Sequence, residues 1–433
     1  MRIFYSLMWW LALPLVLARL WLRGRKEPGY RQHWGERLGW YGARPASVPH
    51  VPLSIWVHAV SVGETRAAEP LVDALLAAYP DCRIILTHMT PTGRATGKSL
   101  FAKHGARLQQ SYLPYDTSSM VRRFIRHFEP RICILMETEV WPNLIAVCGQ
   151  QGVPVVLANA RLSERSLRKA QRFGQLMLDA ARGIALVAAQ TEADAARVRS
   201  LGVPNVAITG SIKFDVVVPE MALATGAALR AAIGARPVLL CASTREGEEA
   251  LLLQAFVEAR AALPADVLLL LVPRHPQRFD EVEQMVTARS LQVVRRSQLA
   301  LGADAVALPS STDVLLGDSM GEMFAYYAAC DCAFVGGSLL PLGGQNLIEP
   351  AALGKPVLIG QHTFNFALVT DDAIAAGGAR RIDDAAALMQ AAAGLLNDTA
   401  GRAEMGRHAL AFANQHRGAT QRTLALLPAL LQR

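Results

Sequence analysis

The chain is poor in the residue patterns that build metal centres or disulfide frameworks. Its 433 residues include six cysteines, at positions 82, 133, 148, 241, 330 and 332. None forms a CxxC pair or joins a histidine cluster, and Cys330 and Cys332 stand too close together for a structural zinc pattern. Cys82, Cys133 and Cys148 lie in or near apolar runs. Buried free thiols in a reducing compartment are therefore expected, with no disulfide, no metal and no cofactor. Aromatic residues make up only 6% and charged residues 18% of the chain. Low-complexity stretches and short-period repeats are absent. The most glycine-dense segment has neither GxGxxG spacing nor a Walker loop, which argues against a dinucleotide or ATP.

Basic charge spread over a folded face is also missing. The net charge is +8, but residues 1–50 hold Arg2, Arg19, Arg23, Arg25, Lys26, Arg31, Arg37 and Arg44 against Glu27 and Glu36, six of those eight charges. A nucleic-acid partner would call for basic residues interleaved with aromatics on one surface. Here the charge adjoins an apolar segment instead, the pattern of a protein bound to an anionic membrane. No nucleic-acid partner is expected.

That segment, Ile3 to Leu22, is apolar except for Ser6 and Arg19. Twenty residues suffice to cross a bilayer core, and Trp9, Trp10 and Trp21 suit its interfaces. A cleaved signal peptide fits poorly, since basic residues rather than an A-x-A-type site follow. A helix lying in the interface is compatible with Pro14 and Arg19. The reading adopted is a single N-terminal anchor over residues 1–26. Its flanking Arg23–Arg37 cluster places the rest of the chain on the cytoplasmic side.

What the chain has in abundance is apolar residues, 52% of the total, and its length predicts two or three ordinary domains. Residues 30–52 read as a basic connector punctuated by Pro and Gly. Short apolar runs at 54–60, 83–87, 131–136, 153–157 and 184–189 then alternate with helical patterns, one of them at 64–78. Strands apolar on both faces belong to a parallel sheet covered by helices. Residues 209–219 carry no helical pattern and mark a boundary. A second alternation follows, with strands at 237–242, 267–272, 314–316, 333–335 and 356–359, and a helical tail from Asp383. The expected fold is α/β: two doubly wound domains, 27–210 and 211–433, facing a cleft, with the last helix at 420–431 crossing back onto the first. Ligands of such sheets bind at the carboxyl ends of the strands.

Candidate functional residues sit at those ends. His58-Ala-Val-Ser-Val-Gly-Glu64 closes the first strand and opens a helix. Stabilisation by the helix dipole accounts for a glutamate there, but leaves the neighbouring His58 and Gly63 unexplained. Met136-Glu137-Thr-Glu139-Val-Trp141-Pro-Asn143 puts two carboxylates in a second strand-to-helix turn, where capping uses one at most. Thr90–Gly93 and Asn159–Arg161 fit loop capping better than ligand contact. Lys213 lies at the domain junction, where surface charge is the simpler reading. In the second half, Arg274 follows a strand and suits a phosphate or carboxylate. Asp318–Glu322 opens a helix. Ala333–Gly360 reads as strand, glycine loop (Gly336, Gly337, Gly343, Gly344), helix and strand. A helix beginning near Asn346 would aim free N–H groups at a phosphate, with Glu349 placed to meet sugar hydroxyls.

The ordered motifs GYRQHWGERLG, HAVSVGE, TPTGRATG, LPYD, METEVWPN, NARLSERS, VPRHPQR, LLGDSMGEM, VGGS, GGQNLIEPAALGKPVLIG and HTFNF resemble, over essentially the whole chain, the 3-deoxy-D-manno-octulosonic acid (Kdo) transferases of lipid A assembly. One departure is GSIKFD, where Asn-Leu is expected before the lysine. The resemblance implies a B-type glycosyltransferase fold at the cytoplasmic face of an inner membrane. It also implies CMP-Kdo as donor and the tetraacyl lipid A precursor as acceptor. By the same resemblance Glu64 is the general base, while Glu137 and Lys213 stabilise the transition state. Pro273 and Arg274, Met320, Gly321 and Glu322, and Asn346, Leu347, Ile348 and Glu349 form the CMP site. Inversion without a metal ion is the expected course. Rival readings are another nucleotide-sugar transferase or epimerase of the same fold, and a membrane-tethered nucleotide-binding regulator. Glu64 counts against the regulator, which needs no base.

Overall fold

The computed structural model describes residues 1–42, 53–302 and 306–431. The chain divides into two compact units: the first comprises Met1–Asp215 with Arg417–Arg433, and the second Val216–His416. Residues 43–52 of the expected connector lie outside the described residues.

In the first unit seven parallel strands stand in the order β3-β2-β1-β4-β5-β6-β7. They are β1 (Ser54–His58), β2 (Arg83–His88), β3 (Leu108–Tyr112), β4 (Ile132–Met136), β5 (Val155–Ala160), β6 (Leu186–Ala189) and β7 (Val206–Ile208). Alternation along β1 explains why both faces are apolar. Ile55 and Val57 pack on one side with Leu71 and Leu75, and Trp56 packs on the other with Phe124. Burial on both faces is what a helix-covered parallel sheet requires.

The second unit repeats the plan in the order β10-β11-β9-β8-β12-β13-β14, again all parallel. Its strands are β8 (Val238–Thr244), β9 (Leu268–Pro273), β10 (Val293–Arg295), β11 (Val314–Leu316), β12 (Cys332–Val335), β13 (Val357–Ile359) and β14 (Ala379–Arg381). Two α/β doubly wound sheets and an apolar N-terminal helix are thus the fold class expected. In each sheet the chain reverses its direction of winding once, between β1 and β4 and between β8 and β12, the switch points where such folds place ligands.

Differences from the sequence reading are local. The helix expected over 64–78 is two, Val62–Ala67 and Glu69–Ala78, with Pro70 in the first turn of the second. A proline there lacks the N–H that would continue the first helix's ladder. Four strands went unread: β3, β7, β10 and β14, every one an edge strand. All six cysteines are buried thiols.

The N-terminal helix, Arg2–Arg23, is long and apolar enough by length and composition to cross a membrane. One of its faces packs against the first unit. Leu13 and Leu20 are buried in a cluster with Tyr30, Tyr115 and Met120, flanked by Trp9, Val16 and Leu17. The opposite face leaves Ile3, Phe4, Leu7, Leu11 and Leu15 exposed.

Candidate active site

Three carboxylates gather at the switch point of the first sheet. Ser61 caps the Val62–Ala67 helix, and Glu64, three residues on, reaches back. Its Oε2 accepts the Val60 N–H at 2.7 Å and its Oε1 the Ser61 hydroxyl at 3.3 Å. That reciprocal cap is a structural role in its own right. Burial nevertheless pushes the Glu64 carboxyl up to about 7. The Val60 N–H opposes the rise, while the charges of Glu139 and Glu137 add to it. Like charges and lost solvation both disfavour the ionised form. Gly63 turns out not to be required by the turn: a Cβ there would meet only Ser61 Oγ, at 3.9 Å. His58 is a buried strand residue with Nδ1 2.9 Å from Thr87 Oγ1. Burial first and His88 second hold it neutral, with its pKa lowered to about 3.

Glu137 follows β4 directly and adopts left-handed backbone, φ 58°, with its N–H bonded to the Ala158 carbonyl at 2.9 Å. Its carboxylate meets Lys213 Nζ at 2.8 Å. Neither Glu137 nor Glu139 caps the following helix, Pro142–Gln150. Asp116 does so from another loop, accepting the N–H groups of Asn143 at 3.1 Å and Leu144 at 2.7 Å. Both glutamates are thereby left for other work. Burial, and to a smaller extent Glu137, push Glu139 upward, with Trp141 opposing. Lys213 sits on a single 3-10 turn, Ile212–Phe214, docked by Asn159. That asparagine is buried, left-handed at φ 55°, and accepts the Ile212 N–H at 3.0 Å. The structure therefore brings Lys213 onto Glu137, while electrostatics link Glu137 to Glu64.

The other expected site residues belong to the second unit. Pro273 ends β9, and the Arg274 N–H donates to Thr244 at the end of β8, 2.9 Å. Burial first, then Glu349, push the pKa of the Tyr327 phenol up while Arg274 opposes the rise, so the charges of both candidates act on one buried hydroxyl. Asn346 donates to Glu349 at 3.1 Å and accepts the Ile348 N–H at 3.0 Å. Leu347 and Ile348 are buried. Met320 is exposed, Gly321 is left-handed, and Glu322 is taken up by Arg296 at 2.9 Å and Ser319 at 2.5 Å.

The glycine loop is held in part from within the chain. The helix after it, Ile348–Ala352, spans five residues. Three of the loop's N–H groups, those of Gly337, Ser338 and Leu339, are occupied by an internal anion, the fully buried Glu248. It accepts Gly337 at 2.6 Å, Ser338 and Leu339 at 3.0 Å each, and Arg245 at 3.0 Å. Glu248 therefore pins the end of β12 to the loop after β8. Gly336 is needed for that approach, because a Cβ would fall 2.7 Å from Ser243 O. Glu248 and Asp116 escaped sequence reading, their only signals being an acid in the first turn of a helix and the LPYD motif; Asn159 reads as loop capping from the sequence, and its hold on the Ile212 turn is of that kind.

Residues 32–216 match the family described as 3-deoxy-D-manno-octulosonic-acid transferase (kdotransferase). A 3-deoxy-D-manno-octulosonic acid transferase of Bordetella pertussis is 47% identical over 96% of each chain. One of Haemophilus influenzae is 40% identical over 100% of this chain and 99% of its own. Among solved structures, a UDP-GlcNAc 2-epimerase from Neisseria meningitidis superposes with a TM-score of 0.60 over 88% of this chain and all of its own, at 13% identity. A glycosyltransferase from Rickettsia africae gives 0.58 over 89% and 100%, at 12%. Those two share the fold.

Proposed function

The chain belongs to the 3-deoxy-D-manno-octulosonic acid transferase family and is a glycosyltransferase; on that premise we propose that it moves Kdo from CMP-Kdo to a hydroxyl of the tetraacyl lipid A precursor, with inversion and without a metal ion. The observation carrying this reading is the Glu64 carboxyl, held near neutrality beside the Glu137–Lys213 pair. A base titrating close to the working pH combines a useful ionised fraction with adequate basicity.

Glu64 takes the proton of the acceptor hydroxyl as its oxygen bonds to the anomeric carbon. The bond from that carbon to the CMP phosphate oxygen breaks, and CMP departs with the electron pair. Lys213, held by Glu137, stabilises charge that builds up in the transition state. Arg274 pairs with the donor's phosphate. Asn346 and Glu349, ordered by their mutual hydrogen bond, take the sugar hydroxyls of the nucleotide, with Pro273, Gly344, Leu347 and Ile348 shaping the site and Met320, Gly321 and Glu322 contributing to it.

A lipid acceptor gives the N-terminal helix its purpose. Because Trp9, Leu13 and Leu20 pack on the first unit, we read the helix as seated along the cytoplasmic surface of the inner membrane. Its exposed face enters lipid and the basic residues after it meet headgroups.

The test is Glu64→Gln, assayed with CMP-Kdo and the precursor and with products weighed by mass spectrometry. Losing a general base typically costs about 10²–10⁴ in rate, so transfer should collapse while CMP affinity is unchanged. Near-normal turnover, with only a small stability change from the lost cap, would overturn the mechanism.

A further inference from the structure

We infer that the N-terminal helix is a positioning element of the active site: Tyr5 and Ser6 hold the Glu137–Trp141 turn in place through Asp116 and Asn143. The inference rests on the roles proposed above for Glu137 and its neighbours.

Four contacts carry it. The Tyr5 hydroxyl donates to Asp116 Oδ2 at 3.0 Å. The Ser6 hydroxyl donates to Asn143 Oδ1 at 3.1 Å. Trp9 stacks on Tyr115, the neighbour of Asp116, at 5.7 Å between ring centroids. Asn143 Nδ2 closes the network on the Asp116 carbonyl at 2.7 Å. A helix serving only to enter lipid has no need of hydroxyls aimed at a buried carboxylate and a buried amide.

Both receiving side chains are 1% exposed or less, so little slack is available to them. Asp116 caps the Pro142–Gln150 helix, and Asn143 is the second residue of that helix. The turn carrying Glu137 and Glu139 is therefore strung between two fixed points. One is the Glu137 N–H on the Ala158 carbonyl; the other is the capped helix start that Tyr5 and Ser6 grip. Releasing the second point lets the turn shift relative to Glu64 and Lys213. Misplacement by about 1 Å in a site of this kind is worth roughly a hundredfold in rate.

The test uses the full chain in detergent micelles with micellar acceptor, where membrane capture no longer limits turnover. The double variant Tyr5→Phe/Ser6→Ala deletes both hydroxyls and keeps the apolar helix. Expected is a fall in kcat of about ten- to a hundredfold, with donor KM, CMP affinity and recovery on anionic vesicles unchanged. Tyr5→Phe/Ser6→Thr, which restores one hydroxyl, should regain part of the loss, an effect that general destabilisation would not produce. Turnover within about twofold of the parent, or a change confined to acceptor KM, overturns the inference and leaves the helix a tether. Glu137→Gln run alongside separates the two claims. If it is inactive while the double variant is normal, only the positioning link fails; if it is active, the site reading fails and the inference with it.

Discussion

Glu64 accepts a backbone N–H and a hydroxyl within its own helix cap, while burial and two neighbouring carboxylates raise its titration to about 7. Two opposite pH trends follow. As a base it works ionised, so kcat/KM should climb with pH to a plateau, with the acid limb centred near 7. As a folded-state carboxyl raised from an ordinary 4.5, it favours the fold fully below that value and loses this contribution as pH rises through 7. Glu64→Gln should therefore gain stability relative to the parent between pH 5 and pH 8, read from melting temperatures at the two pH values. Glu139→Gln removes one of the charges that raise Glu64, so the acid limb should move to lower pH. An unmoved limb would assign that titration to another group. At this scale the acids were legible in HAVSVGE and METE, because a carboxylate at a strand end is a local pattern. Asp116 was not, because what it does depends on a partner 27 residues away; Asn159 was legible as a capping residue, but its partner, 53 residues away, was not.

Among the elements, the interior strands were legible and the edges were not, for a physical reason. A strand covered on both faces must be a continuous apolar run, as Ile132–Met136 is. Leu108–Tyr112 has a neighbour on one side only and includes Gln109, Gln110 and Ser111, so nothing in its sequence demands a sheet. The glycine loop shows the converse case. Its glycines announced a close approach, and among the groups brought close is Glu248 of the chain itself, on the Gly337 N–H at 2.6 Å. Replacing Glu248 with alanine leaves the N–H groups of Gly337, Ser338 and Leu339 without their acceptor. At about 1–3 kcal/mol for each buried orphan donor, the loss should be on the order of 3 kcal/mol or more, measurable by denaturant unfolding. CMP affinity should fall with it, since Gly344 and Gln345 pair with Gly337 and Gly336 just ahead of Asn346. Unaltered CMP binding in a destabilised Glu248→Ala protein would detach the loop from the donor site.

For the molecule as a whole, the last residues belong with the first. Leu427 and Ala419 are fully buried in the same core as Leu71 and Leu75. Asp215 accepts the N–H groups of Gly418 and Thr420 at 2.5 Å each. Deleting residues 417–433 should uncover the apolar side of the Glu69–Ala78 helix and destabilise the first unit while sparing the second. Limited proteolysis read by mass spectrometry should find early cuts confined to the first unit, and protection equal to that of the full chain would refute the assignment. The pinning at Asp215 also bears on how the protein is made. Chain leaves the first unit and re-enters it at one point, so the second unit is an uninterrupted insert, complete as soon as His416 has emerged from the ribosome. The first unit begins before that insert and closes after it: the helix that would seat on the membrane precedes the second unit, yet the core beneath Leu71 and Leu75 is not sealed until the residues beyond His416 have followed. A nascent chain thus carries its apolar helix and an open first unit for as long as the second unit is being made.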